Sequence, residues 1–229
     1  MPDLILLIVV LVMSAVVHEV SHGIAALWLG DPTAKYAGRL TLNPLKHLDL
    51  FGSFLMPLLL YFGTGGRFFF ASAKPVPYNP FNLRDQKYGP AVVGVAGPLA
   101  NLIVALVFGI FLRIFVASGV VPMGDSAALI GNIFSGGSLL GSGLNAIAII
   151  FITIIYINIL LALFNLIPFP PLDGSKVLFA FLPMREETKL RLEQGGFIFL
   201  LLFIVILSGP IFAIIRLIEL LFFKLVLGI

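Results

Sequence analysis

Residues 4–29 read LILLIVVLVMSAVVHEVSHGIAALWL. At about 1.5 Å per residue this run makes a helix longer than the roughly 30 Å hydrocarbon core of a bilayer. Gly30-Asp31-Pro32 then stops it. Inside the run sits His18-Glu19-Val20-Ser21-His22, the pattern H-E-x-x-H. Residues four apart on a helix share one face, so both imidazoles can grip one divalent cation, with Glu19 beside them. Ionisable groups midway along an apolar helix are costly, by about 2.5–3.5 kcal/mol for a charged Asp on insertion scales. A chance match is therefore a poor explanation. Met1 to Val17 has the look of a signal peptide, but Asp3 is its only charge and the apolar run continues past Gly23. We read it as a retained transmembrane helix.

Composition agrees with a membrane protein. Of 229 residues, 60% are hydrophobic and only 11% charged, against about a quarter charged in soluble domains. The chain contains no cysteine, which removes disulfides, thiol nucleophiles and Cys-ligated zinc. The net charge of +3 lends no support to a nucleic-acid partner. One membrane-embedded domain, residues 1–229, is expected, with a core at 4–180 and a C-terminal helical segment at 195–229.

Two further long apolar helices are predicted at 91–116 and 144–167. The first carries Gly94, Gly97, Pro98 and Asn101, small residues that permit close packing. A shorter apolar patch, 48–62, contains Gly52 and Pro57 and suits a re-entrant segment. A β-like run follows at Arg67 to Ala73. Residues 117–143 read as a Gly- and Ser-rich loop with one short helix, and 184–194 as a charged connection. The last helix is expected to start near Gly195 and to break at Gly209-Pro210. The fold class is thus an all-α polytopic membrane protein with three core spans, C-terminal helices and a re-entrant, partly β-like loop. The 48–62 patch and Gly209-Pro210 are the weak points where a lateral gate beside the metal helix is expected.

Seven Lys and Arg residues fall in 31–90 and four in 169–194, eleven of the 14, whereas 117–143 has none. The positive-inside rule places both basic loops in the cytoplasm.

A catalytic zinc needs a third protein ligand and an open position. Asp173 follows the third helix, between Pro168-Phe169-Pro170-Pro171 and Gly174. The prolines hold the chain out of helix and can turn this carboxylate back toward the bundle. The alternative is that Asp173 merely caps the next short helix. His47 and Asp49 are rivals, read as ordinary loop residues at the membrane surface.

Three motifs in order resemble the site-2 protease family of intramembrane zinc metalloproteases, peptidase family M50. They are HEVSH at 18–22, AGPLAN at 96–101 and NLIPFPPLDG at 165–174. The resemblance implies one Zn²⁺ per chain held by His18, His22 and Asp173, with Glu19 as general base. It places Asn165 near the site, where its amide would hold the substrate or polarise its carbonyl. It implies a compact form without a PDZ or CBS domain, cleaving membrane-spanning proteins or peptides in a lipid bilayer, expected in a prokaryotic cell membrane. In family terms, 33–75 would be a β-like loop guiding an extended substrate. Two rival readings are a metal-binding membrane transporter and a catalytically inactive scaffold homologue. A transporter needs polar groups along a path to both faces, whereas the ionisable groups here converge at one depth. An inactive homologue would have lost Glu19 or a ligand.

Cysteines placed at Gly38 and Ala73 should both be labelled from the cytoplasmic side. Labelling from opposite faces would mean that 48–62 crosses the membrane completely.

Overall fold

A computed structural model describes residues 2–48, 74–135, 145–184 and 186–228. Within them the chain forms helices α1 (Pro2–Trp28), α2 (Thr33–Tyr36), α3 (Gly89–Ala117), α4 (Met123–Ser135), α5 (Ala146–Asn165), α6 (Gly174–Phe181) and α7 (Glu186–Leu227). No strand occurs among the described residues. The expected β-like run at 67–73 lies outside them, as does the re-entrant patch beyond Leu48. Three helices are long and apolar enough to cross a membrane: Ile5–Trp28 of α1, α3 and α5. These are the three spans anticipated from hydropathy, within a few residues at each end.

Helix α3 is the hub, packing against α1, α5, α6 and α7. Its small residues allow this. Gly94, Gly97, Ala105 and Gly109 are all buried, so neighbouring backbones approach closely. Toward its C-terminal half, Ala105 and Leu112 join Ile152, Ile155 and Ile159 of α5 and Phe223 and Val226 of α7 in one apolar cluster. The opposite face of α3 leaves Ile103, Leu106, Ile110 and Ile114 about half exposed. That is the expected pattern for a span whose outer face meets lipid instead of water.

Two boundaries differ from expectation. Helix α7 starts at Glu186, not near Gly195, and runs unbroken through Gly209-Pro210. Glu187 in its first turn suits the positive end of a helix dipole, so the charged stretch extends the helix. Pro210 removes only its own bond to the carbonyl four residues earlier, which a helix among apolar neighbours tolerates. A break at 209–210 therefore does not define a gate, and the other proposed gate element lies outside the described residues. In the 117–143 stretch, α4 brings Leu129 and Ile130 into the apolar cluster. The Asn145 side chain caps α5 by accepting from the amides of Ile147 and Ala148.

The turn after α1 anchors the segments that flank the functional end of the bundle. Asp31 is fully buried. Its Oδ1 accepts from the Thr33 amide at 3.1 Å and Asn82 Nδ2 at 2.9 Å, and its Oδ2 from the Asn79 amide at 2.6 Å. The Arg84 amide donates to the Leu29 carbonyl at 2.8 Å. The 79–84 turn is thereby tied to the end of α1.

Burial pushes the Asp31 carboxyl up, but the hydrogen bonds from Thr33, Asn82 and Asn79 outweigh it and hold the group below its ordinary value. Its stabilising contribution is therefore complete above the unfolded value of about 4 and lost as pH falls through the folded value. Asp31→Ala should cost about 2 kcal/mol at neutral pH. Thermal melts of the detergent-solubilised protein should show this deficit shrinking on acidification below about pH 4.

Candidate metal centre

The H-E-x-x-H spacing brings His18 and His22 onto the face of α1 that packs on α3. Both are buried, each about 6% exposed. Their rings stand 4.6 Å apart, centroid to centroid, and nearly perpendicular. Asp173 reaches them from the segment between α5 and α6. Its Oδ2 lies 2.9 Å from His18 Nε2 and 3.1 Å from His22 Nε2. The donor atoms of the three residues all lie within 4.8 Å of one another, the one such His/Cys/Asp/Glu group among the described residues. Although Asp173 occupies the residue before α6, its side chain makes no capping bond. The capping alternative is thus set aside: the carboxylate turns inward. This requires Gly174, where a Cβ would collide with the carbonyl oxygens of Leu166 and Ile167.

The second nitrogen of each imidazole is also fixed. His22 Nδ1 lies 2.6 Å from the Val93 carbonyl, which can only accept. His18 Nδ1 lies 2.6 Å from Asn101 Oδ1. The Asn101 amide is oriented by its Nδ2, which donates to the Ser14 carbonyl at 3.2 Å and to Asn158 Oδ1 at 2.7 Å. Asn158 Nδ2 in turn donates to Ser14 Oγ and the Ile154 carbonyl, both at 2.9 Å. Both Nδ1 atoms therefore carry ring protons, and in the neutral imidazoles both Nε2 lone pairs face the Asp173 carboxylate. Three acceptors converging without a donor repel one another unless a cation lies among them. Two imidazole nitrogens and one carboxylate oxygen form a common catalytic-zinc donor set. Tetrahedral zinc ligands stand about 3.3 Å apart, so the two imidazole–carboxylate separations fit after spreading by a few tenths of an ångström.

Burial pushes the Asp173 carboxyl up, and the Lys176 ammonium opposes it by favouring the ionised form. Lys176 Nζ sits 2.9 Å from Oδ1, which leaves Oδ2 facing the histidines. Glu19 lines the same cavity, of about 420 Å³. Its Oε2 accepts from the Val76 amide at 2.8 Å. That amide belongs to the stretch at 74–76, whose Lys74 and Pro75 carbonyls accept from Arg39, as does the carbonyl of Lys46.

The structure thus brings together His18, Glu19, His22 and Asp173. Asn165 also lines the cavity, but its Nδ2 donates to Leu161 within its own helix at 2.9 Å. His47 departs from expectation: it is completely buried and lines the cavity, where a surface loop residue was expected. Its Nε2 faces the Thr41 carbonyl at 2.8 Å, a bond that draws the ring inward. Asp49 lies outside the described residues. Sequence reasoning missed the supporting roles of Asn158, Val76 and Lys176. Asn158 carried a legible signal, being an amide midway along an apolar span.

Gly97 is where α3 comes closest to the two imidazoles. A Cβ there would come within 2.6 Å of His22 Nε2 and 2.7 Å of His18 Cε1. Gly97→Ala should displace the rings and weaken zinc binding at least tenfold, as read by chelator competition.

Comparison with known proteins agrees with this geometry. The profile of Peptidase family M50 matches residues 6–209. The chain is 35% identical over 206 residues to a Bacillus subtilis protein named "Putative zinc metalloprotease YwhC", covering 89% of this chain and 82% of that one. It is 29% identical over 207 residues to "Putative zinc metalloprotease Rip2" of Mycolicibacterium smegmatis, covering 90% and 68% respectively. No solved structure matches the chain. The family match runs through all three apolar spans and both halves of the His/Asp cluster. This integral, multi-pass membrane protein belongs to peptidase family M50.

Proposed function

We propose that the chain is an intramembrane zinc metalloprotease of the site-2 type, acting on membrane-spanning proteins or peptides. The observation that carries this reading is the convergence of two Nε2 atoms and one carboxylate oxygen in a cavity that Glu19 also lines. His18, His22 and Asp173 are the residues that would hold one zinc ion. Zinc held there supplies Lewis acidity, which brings the pKa of a water down toward neutrality and polarises a peptide carbonyl.

The chain's own residues do the rest. Glu19 is the proton carrier: with Oε2 engaged by the Val76 amide, Oε1 is the atom left to take the water's proton. Glu19 then delivers that proton to the departing amine, so that the peptide C–N bond breaks without a free anion forming. Asn165 is proposed to turn its amide from Leu161 toward the substrate carbonyl. Leu11, Val12, Val16 and Phe164 line the cavity, which excludes bulk water and suits an apolar segment. A transmembrane substrate must first unwind there, because every backbone amide of an intact helix is already bonded. By the positive-inside rule the cavity lies toward the cytoplasmic face of a prokaryotic cell membrane.

Glu19→Gln should retain one zinc per chain and lower cleavage of a single-span substrate by at least 100-fold in the purified protein. The size follows from the usual contribution of a positioned acid–base group, about 10²–10⁴. Turnover by Glu19→Gln at the unaltered rate would remove Glu19 from the mechanism. Transport of metal across sealed vesicles with no peptide cleavage would favour the transporter reading instead.

A further inference from the structure

His47 is a third histidine at the cavity, and the metal group does not include it. Its Nε2 lies 2.8 Å from the Thr41 carbonyl. A carbonyl oxygen can only accept, so Nε2 bears the proton and Nδ1 carries a lone pair. Nδ1 is buried and has no hydrogen-bond partner among the described residues. A buried acceptor left unpaired costs on the order of 1–3 kcal/mol, and such atoms call for an explanation.

The ring is also firmly placed. The His47 carbonyl accepts from the Lys74 amide at 2.7 Å. Arg39 ties Lys46 to Lys74, and two residues further on the Val76 amide holds Glu19. His47 and the proposed base are thus fixed to one short backbone frame.

We propose that His47 Nδ1, closed off from solvent here, is uncovered by a small shift of the cavity wall on substrate entry and then accepts a hydrogen bond from a main-chain N–H of the substrate. This rests on the peptidase reading above and adds a substrate-positioning contact to it. The choice of partner follows from chemistry. Nδ1 in this tautomer can satisfy only a donor. An unwound substrate segment in a largely apolar cavity exposes main-chain N–H groups that have lost their helical partners. Such a contact holds any peptide in the extended form without reading its side chains.

The test is a double-mutant cycle on the full-length protein. A single-span peptide is prepared with each main-chain N–H within three residues of the scissile bond replaced in turn by an ester oxygen. Cleavage is measured with the unaltered enzyme and with His47→Ala, and binding with the same pair in the non-cleaving Glu19→Gln background. His47→Ala should weaken binding of the all-amide peptide about five- to tenfold, the size of one net hydrogen bond. One ester position should bind the unaltered protein weaker by a similar factor, and His47→Ala should bind that peptide no worse. Zinc content should stay at the unaltered level.

An equal loss for every peptide on His47→Ala would overturn the proposal, as would loss of zinc, which would make His47 a metal ligand. If His47→Ala does not fold, the ester scan on the unaltered protein still decides: no sensitive position means no such contact. Peptide binding that shows the coupling without any cleavage would fail the protease reading while upholding the His47 contact.

Discussion

Two imidazole nitrogens and a carboxylate oxygen meet in the interior of this bundle, and the surrounding architecture holds them there. Left to themselves, His18 Nε2, His22 Nε2 and Asp173 Oδ2 would turn apart. Each is prevented by a bond on its far side: Asn101 behind His18, the Val93 carbonyl behind His22, Lys176 behind Asp173. A metal cation, or a proton on one imidazole, would recover the cost of that convergence. Burial sharpens the effect, since charge interactions strengthen where water is excluded.

Helix α3 makes the convergence possible without contributing a donor to it. It offers Gly97 where the imidazoles need room, the Val93 carbonyl and Asn101 where they need partners, and Gly94 where the Asp173 segment passes. Its other end is stapled by apolar packing to α5 and α7. A rigid scaffold at one end and a polar pocket at the other is a sound arrangement for a catalytic site, because the donors must be held within fractions of an ångström. The stretch at 74–76 adds the final constraint, since its Val76 amide orients Glu19.

Much of this was legible beforehand, for identifiable reasons. The spans could be read because a bilayer demands long apolar helices and leaves few alternatives. The His18–His22 pair could be read because four residues make one helical turn. Asp173 was legible from its Pro-Pro-Leu-Asp-Gly setting, and the resemblance supported it. What was not legible depended on contacts between distant segments. Asn158 lies 57 residues from Asn101 and Val76 lies 57 from Glu19, and no local pattern announces such pairings. His47 looked like loop because its neighbours are polar, yet tertiary packing buries it completely. The start of α7 was misread because charges were taken as loop where they form the first turns of a helix.

The account stands or falls on Asp173 completing the metal site. The most direct measurement is zinc affinity of the purified protein and of Asp173→Ala, by competition with a chromophoric chelator at neutral pH. With one of three ligands gone, affinity should fall by at least 100-fold, while the unaltered chain binds one zinc. Equal affinity in the two proteins would contradict the account, because the inward turn of Asp173 would then serve some purpose other than holding the metal.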